Sequence, residues 1–316
     1  MTGSAIHRYP KDTRDKLFLL SVAATTLIAW HPLRALLDAA LKHEQNSHIL
    51  LVLPIVVGLL YLEGAGRNIK PETAALPGAV LLVVSGLLAI TSFHYGRAMG
   101  PANTLSLSIA ALVFAWLGLV FAFYGVHIFK KCIFPLLFLL LLVPLPPSVL
   151  NAVTYTLQYG STRATEALFI AFGIPVAREG FVLFLPSIDI EVAAECSGIR
   201  SSMMLVLTCV VLGHLFLRSP WRQCVLFVSV IAVTILKNAL RIFTLATLAM
   251  YVDPSWIEGD FHHLYGGSIF FALAMAIILV VLRLLRRSEE KPKDNFNLHR
   301  CMRGRISRDQ GSSTFG

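Results

Sequence analysis

Ala193 to Ser202 reads AAECSGIRSS, and Met203 to Leu217, MMLVLTCVVLGHLFL, follows it without a break. Glu195, Cys196 and Arg200 stand at the threshold of a run that lipid would accept, so the stretch reads as the start of a membrane helix. Two readings of the thiol are open at this point. In one, Glu195 and Ser197 cap a helix beginning around Ser197, and Cys196 is an incidental small residue. In the other, Cys196 is a nucleophile whose thiolate is favoured by the positive end of the helix dipole and by Arg200 one turn on.

The rest of the chain sets the context for that choice. Of its 316 residues 56% are hydrophobic and 14% charged, against about 25% charged in an ordinary soluble domain. Apolar runs long enough for a helix to cross about 30 Å of hydrocarbon fall at 17–37, 47–63, 74–93, 103–126, 131–149, 198–217, 222–251 and 264–284. The expected fold is an all-α, polytopic membrane bundle of about eight transmembrane helices. A further apolar stretch, 152–172, carries Gln158, Arg163 and Glu166 and is expected as an interfacial or re-entrant helix. The expected domain is 1–285, followed by a basic, disordered cytoplasmic tail over 286–316 that supplies much of the net charge of +9.

Basic residues orient the bundle. Arg8, Lys11, Arg14 and Lys16, then Arg67 and Lys70, Lys130 and Lys131, Arg218 and Arg222, and the tail from Arg283 all fall on one side of an eight-span chain. That side is expected to be the cytoplasm, which puts both termini there and makes the first segment a retained anchor. These charges flank membrane helices and suit anionic lipid, so nucleic acid is not an expected partner. The five cysteines make no disulfide framework. No CxxC, HExxH or P-loop pattern is present, so no metal or other cofactor is expected.

Polar residues at membrane depth carry the chemistry. VTILKNALRIFTLATLAMYV, Val233 to Val252, places Lys237, Asn238 and Arg241 on one stripe of a helix at i, i+1 and i+4. Arg241 lies about 16 Å from the end of its span at 1.5 Å per residue. A charge at that depth costs about 2.5–3.5 kcal/mol on insertion scales and is expected to face a polar interior. DFHHLYGGSIFFALA, Asp260 to Ala274, puts His262 and His263 at the mouth of the last span, and the orientation puts them on the same outer side as Cys196. Thiol acyl transfer needs a nucleophile, a proton shuttle and an oxyanion donor, and these residue types supply all three. A transporter for an anionic solute would also bury Lys237, Asn238 and Arg241. A noncatalytic assembly factor for surface polysaccharide is the other alternative.

The order GIPVAREGFVLFLPSIDIEVAAECSGIRSS (Gly173 to Ser202), KNALRI (Lys237 to Ile242) and FHHLYGG (Phe261 to Gly267) resembles the exosortase/archaeosortase family of membrane-embedded cysteine transpeptidases. NSHILLVLPIVVGLLYLE (Asn46 to Glu63) and FPLLFLLLLVPLPPSVL (Phe134 to Leu150) are similar to family segments as well. The resemblance implies a bacterial inner-membrane enzyme whose substrates are proteins with a C-terminal signal: a Pro-Glu-Pro-type motif, a transmembrane helix and a basic cluster. It implies cleavage near the motif through a Cys thioester and transfer to a surface acceptor, lipid or glycan. Carried over to this chain, Cys196 matches the nucleophile, Arg241 the essential arginine of an Asn-x-x-Arg motif, and His263 the histidine, with His262 beside it as the alternative. Asn238, Arg200 and Glu195 are the supporting candidates.

Overall fold

The computed structural model describes residues 11–42, 44–63, 75–193, 198–253, 256 and 266–290. The chain divides into two compact units, 1–154 and 155–316. The first unit contains α1 (Lys11–Ile28), α2 (Trp30–Lys42), α3 (Ile49–Leu62), α4 (Ala75–Met99), α5 (Pro101–Lys131), α6 (Ile133–Phe138) and the start of α7 (Pro147–Ala171). The second contains the rest of α7, strands β1 (Ala177–Glu179), β2 (Val182–Phe184) and β3 (Asp189–Glu191), then α8 (Ile199–Phe216), α9 (Pro220–Tyr251) and α10 (Gly266–Glu290).

Among the described residues four helices are long and apolar enough to cross a membrane: Leu76–Met99, Pro101–Lys131, Pro220–Tyr251 and Gly267–Glu289. The number is six if each of two bent pairs makes one span. The remaining two expected spans correspond to Ile49–Leu62 and Ser201–Phe216, apolar helices shorter than a full crossing. Proline explains both breaks. Pro32 has no N–H for the carbonyl of Ile28, four residues earlier, and its ring crowds that oxygen. The expected span 17–37 therefore ends at Ile28, and α2 leaves it at 70°. The expected span 131–149 likewise is not one helix. Pro144, Pro146 and Pro147 push the residues before them toward extended backbone, so the helical turns stop at Leu142 and α7 restarts at Pro147.

The all-α expectation needs one correction. Within 150–196, β1, β2 and β3 form a three-stranded antiparallel sheet in sequence order. Glu179 pairs with Val182 across a two-residue turn, and Phe184 pairs with Asp189. One face of the sheet is apolar: Leu183, Leu185 and Val192 pack with Phe169 of α7 and Ala246 of α9. Glu166 of α7 accepts a hydrogen bond from Arg178 of β1 at 2.8 Å, which ties the helix to the sheet.

In the first unit α4 and α5 form a close hairpin. Gly78, Ser85 and Ser92 recur every seventh residue on α4 and meet a row of small residues on α5. Ser85 donates to the carbonyl of Ala111 at 2.7 Å, and Ser92 and Ser108 share a 2.7 Å hydrogen bond. Small side chains let helix backbones approach where lipid supplies no hydrophobic drive for association. At Gly78 the approach is closest, since a Cβ there would lie 3.0 Å from the backbone nitrogen of Ala122 and 3.1 Å from the oxygen of Gly118.

In the second unit α9 is the spine. Its first half packs Leu226, Val230 and Val233 against Leu205 and Cys209 of α8 and Ala274 and Ile278 of α10. Its second half carries α7 and the sheet. The N-terminus of α9 is capped from elsewhere in the chain: the backbone N–H groups of Arg218 and Ser219 donate to the Glu289 carboxylate at 3.1 and 2.9 Å. Arg222 adds an ion pair to the same carboxylate at 3.2 Å and donates to the carbonyl of Ser288 at 3.1 Å.

The hairpin seam yields a direct test. Gly78→Val should overpack the α4–α5 contact and cost about 1–3 kcal/mol, read as a lower unfolding temperature of the detergent-solubilised protein. Gly86→Val, at a glycine with nothing within 4 Å of the added carbon, should change it far less.

Candidate active site

The polar interior of this protein is concentrated in one place. Among the described residues, the buried polar side chains are Gln158, Ser161, Thr162, Thr165, Ser202, Thr234, Lys237 and Asn238 of the second unit, with only Ser92 and Ser106 in the first. They come from α7, α8 and α9, and hydroxyls on helices make this possible because they can bond backward to their own helix. Thr162 donates to the carbonyl of Gln158 and Thr165 to that of Ser161, both at 2.8 Å. Gly160 of α7 admits Ile235 of α9 so closely that an added Cβ would lie 2.8 Å from the isoleucine Cδ1. Gln158 reaches the other way and donates its amide to the carbonyl of Val192, just beyond β3.

The start of α8 has a specific geometry. Gly198 occupies the N-cap position with φ of 75° and ψ of 19°, the left-handed region that costs other L-residues about 1–2 kcal/mol. The helix expected to begin around Ser197 has Ile199 as its first described helical residue, and Glu195 and Ser197, the expected caps, lie outside the described residues. Within the described residues the turn is fastened from inside the helix: the carbonyl oxygen of Gly198 accepts from Ser201 Oγ at 2.9 Å, Ser202 Oγ at 2.7 Å and the Ser202 backbone N–H at 2.9 Å.

The α9 stripe packs on that turn. Lys237, 5% exposed, donates its ammonium to Ser201 Oγ, and Ser201 passes its own proton toward Gly198. Asn238 is fully buried. A Cβ on Gly198 would lie 3.3 Å from Lys237 Nζ, a tight contact, and 3.5 Å from Asn238 Oδ1, an ordinary one, so the positive φ is the main demand for glycine and the space beside Lys237 adds to it. Arg241 follows one turn further along α9 and is half-buried, with polar contacts of its own.

Of the expected site residues, the structure describes Asn238 and Arg241 and brings Asn238 against the turn that follows Cys196 in the chain. Cys196, Glu195, His262 and His263 lie outside the described residues, as does the side chain of Arg200, whose backbone forms the first turn of α8. Sequence reasoning placed Lys237 on the stripe without a role. It missed Ser201 and Ser202, although a serine pair inside the first turn of a membrane helix is itself a signal, since hydroxyls there have to find acceptors. The site is described without a metal cluster: no group of three or more His, Cys, Asp or Glu side chains converges among the described residues.

Comparison with known proteins adds the family. The profile of the family described as transmembrane exosortase matches residues 38–280. No curated protein and no solved structure matches the chain.

The turn itself can be tested. Gly198→Ala should lower thermal stability by about 1–2 kcal/mol from the left-handed backbone alone, with a further loss from the contact with Lys237. Gly198→Asn, a residue that tolerates this backbone, should lose less of the conformational part, as measured by thermal unfolding in detergent.

Proposed function

This chain belongs to the transmembrane exosortase family, and from that premise we propose that it is a membrane-embedded cysteine transpeptidase. Its substrates are proteins that end in a Pro-Glu-Pro-type motif, a transmembrane helix and a basic cluster. It cuts near the motif and passes the new acyl end to an acceptor at the cell surface. The observation that carries the reading is the packing of α9 on the start of α8. Buried Lys237 and Asn238 meet the turn at Gly198, which follows Cys196 by two residues in the chain, and Arg241 is the next polar residue on the same stripe.

The chemistry assigns one role to each candidate. The Cys196 thiolate attacks the scissile carbonyl carbon, forming a C–S bond and an oxyanion. Arg241 stabilises that oxyanion as a fixed cation, an effect that is strong where water is excluded. His263 protonates the leaving amine as the C–N bond breaks, which leaves a thioester. An acceptor amine then gives its proton to His263 and attacks the thioester, and the thiolate leaves. His262, Arg200 and Glu195 support the constellation. Asn238 and Lys237 hold the Gly198 turn and so fix the approach of the nucleophile. In this reading the enzyme lies in the bacterial cytoplasmic membrane with both termini on the cytoplasmic side and the site near the outer face.

Mass spectrometry of a tagged substrate co-expressed with the enzyme tests the proposal. Wild type should yield a shortened protein with a new mass on its C-terminus, Cys196→Ala should yield none, and Arg241→Ala should slow processing by about 10²–10³-fold, the scale of a lost oxyanion donor. Undiminished processing by Cys196→Ala would remove the thiol mechanism. A product ending in a free carboxylate would replace transfer by hydrolysis.

Thiol reactivity gives a second readout. Cys132 and Cys209 are each 2% exposed, and Cys224 lies on the apolar α9. At neutral pH a small water-soluble alkylating reagent should modify Cys196 faster than Cys132, Cys209 or Cys224, as followed by peptide mapping. Equal rates at all four would sink the activated-thiolate assignment.

A further inference from the structure

The first unit holds a cavity of about 1040 Å³ between the bend at Ala29 and the α4–α5 hairpin. Its walls are apolar, with Ile28, Ile90 and Leu112 among them, and its polar side chains include His31, His94 and Arg97. Among the described residues that line it none is acidic. The hydroxyls along it are already engaged: Ser85 with the carbonyl of Ala111, Ser92 with Ser108, and Thr104 with the carbonyl of Gly96 at 2.9 Å. What remains for a ligand is one guanidinium and two imidazoles, set against a hydrocarbon-like wall. His94 and Arg97 are three residues apart on α4 and so share a face. No ion pair among the described residues includes Arg97.

We propose that this cavity is a binding site for a phospholipid with a net negative headgroup. The acyl chain lies along Ile28, Ile90 and Leu112, and the phosphate meets Arg97, His31 and His94. Three features select this ligand. An apolar wall favours a chain over a soluble anion, which would gain nothing there. A guanidinium recognises phosphate through paired, charge-assisted hydrogen bonds. Among its described residues the lining has no carboxylate to pair with the ammonium of a zwitterionic headgroup, whereas basic pockets between membrane helices suit anionic ones. The inference concerns the first unit only and stands whether or not the second carries out acyl transfer.

Native mass spectrometry of the full-length protein, titrated in detergent with phosphatidylglycerol or phosphatidylcholine of identical chains, tests it. Wild type should retain phosphatidylglycerol about five- to tenfold more tightly, the scale of one basic side chain near an anionic headgroup. Arg97→Gln, a change at an exposed position on the last turn of α4, should abolish that preference by weakening phosphatidylglycerol more than phosphatidylcholine. Ala89→Phe, which fills the wall from α4, should weaken both lipids while leaving the protein folded by thermal unfolding. The proposal is overturned if wild type shows no preference, if Arg97→Gln keeps it, or if Ala89→Phe binds both lipids as wild type does. Displacement of the lipid by soluble glycerol 3-phosphate as readily as by phosphatidylglycerol would also overturn it, because the site would then be one for a free anion.

Discussion

An ammonium group inside a membrane helix has to be held by hydrogen bonds, and the second unit is built around one such group. Lys237 donates a hydrogen bond to Ser201 Oγ, Ser201 donates to the Gly198 carbonyl, and that carbonyl also accepts from the hydroxyl and the backbone N–H of Ser202. Removing an ion from water costs several kcal/mol unless the new partners are well placed. That requirement ties α9 to the first turn of α8, because Ser201 is where the lysine finds its acceptor. Glycine at 198 suits the same contact, since a Cβ there would sit 3.3 Å from Lys237 Nζ.

The two units use polar atoms in different ways. In the first, serine and threonine hydroxyls bond to the backbone of a neighbouring helix and draw α4 and α5 together, which leaves few polar groups to spare. In the second, hydroxyls, two amides and an ammonium are gathered from three helices into one interior. Polar atoms inside a bilayer are expensive, and among the described residues most of the buried ones lie in the second unit.

Much of this was legible in the residues. Arg241 and Lys237 stand out in any apolar run because the cost of burying charge does not depend on knowing the fold, and the stripe they form follows from helical spacing alone. The membrane class followed from the length of the runs. The breaks at Pro32 and at 143–146 were obscured because the apolar composition continues straight through them, although the prolines themselves were visible. The sheet escaped because strands of three residues are too short for an alternation to register. The left-handed backbone of Gly198 was not legible because no local pattern announces it, and the cavity was invisible because it is created by a bend and a seam of small side chains.

The clasp at Glu289 has a consequence for how the chain is made. The two backbone N–H groups that open α9 wait for a carboxylate about 70 residues downstream. During synthesis α9 is therefore made while water is the acceptor open to those donors, and the carboxylate reaches them only after α10 has been made. The last helix is thus the closing element of the second unit: assembly there ends, as a matter of chain order, with the arrival of one glutamate at the start of a helix completed long before it.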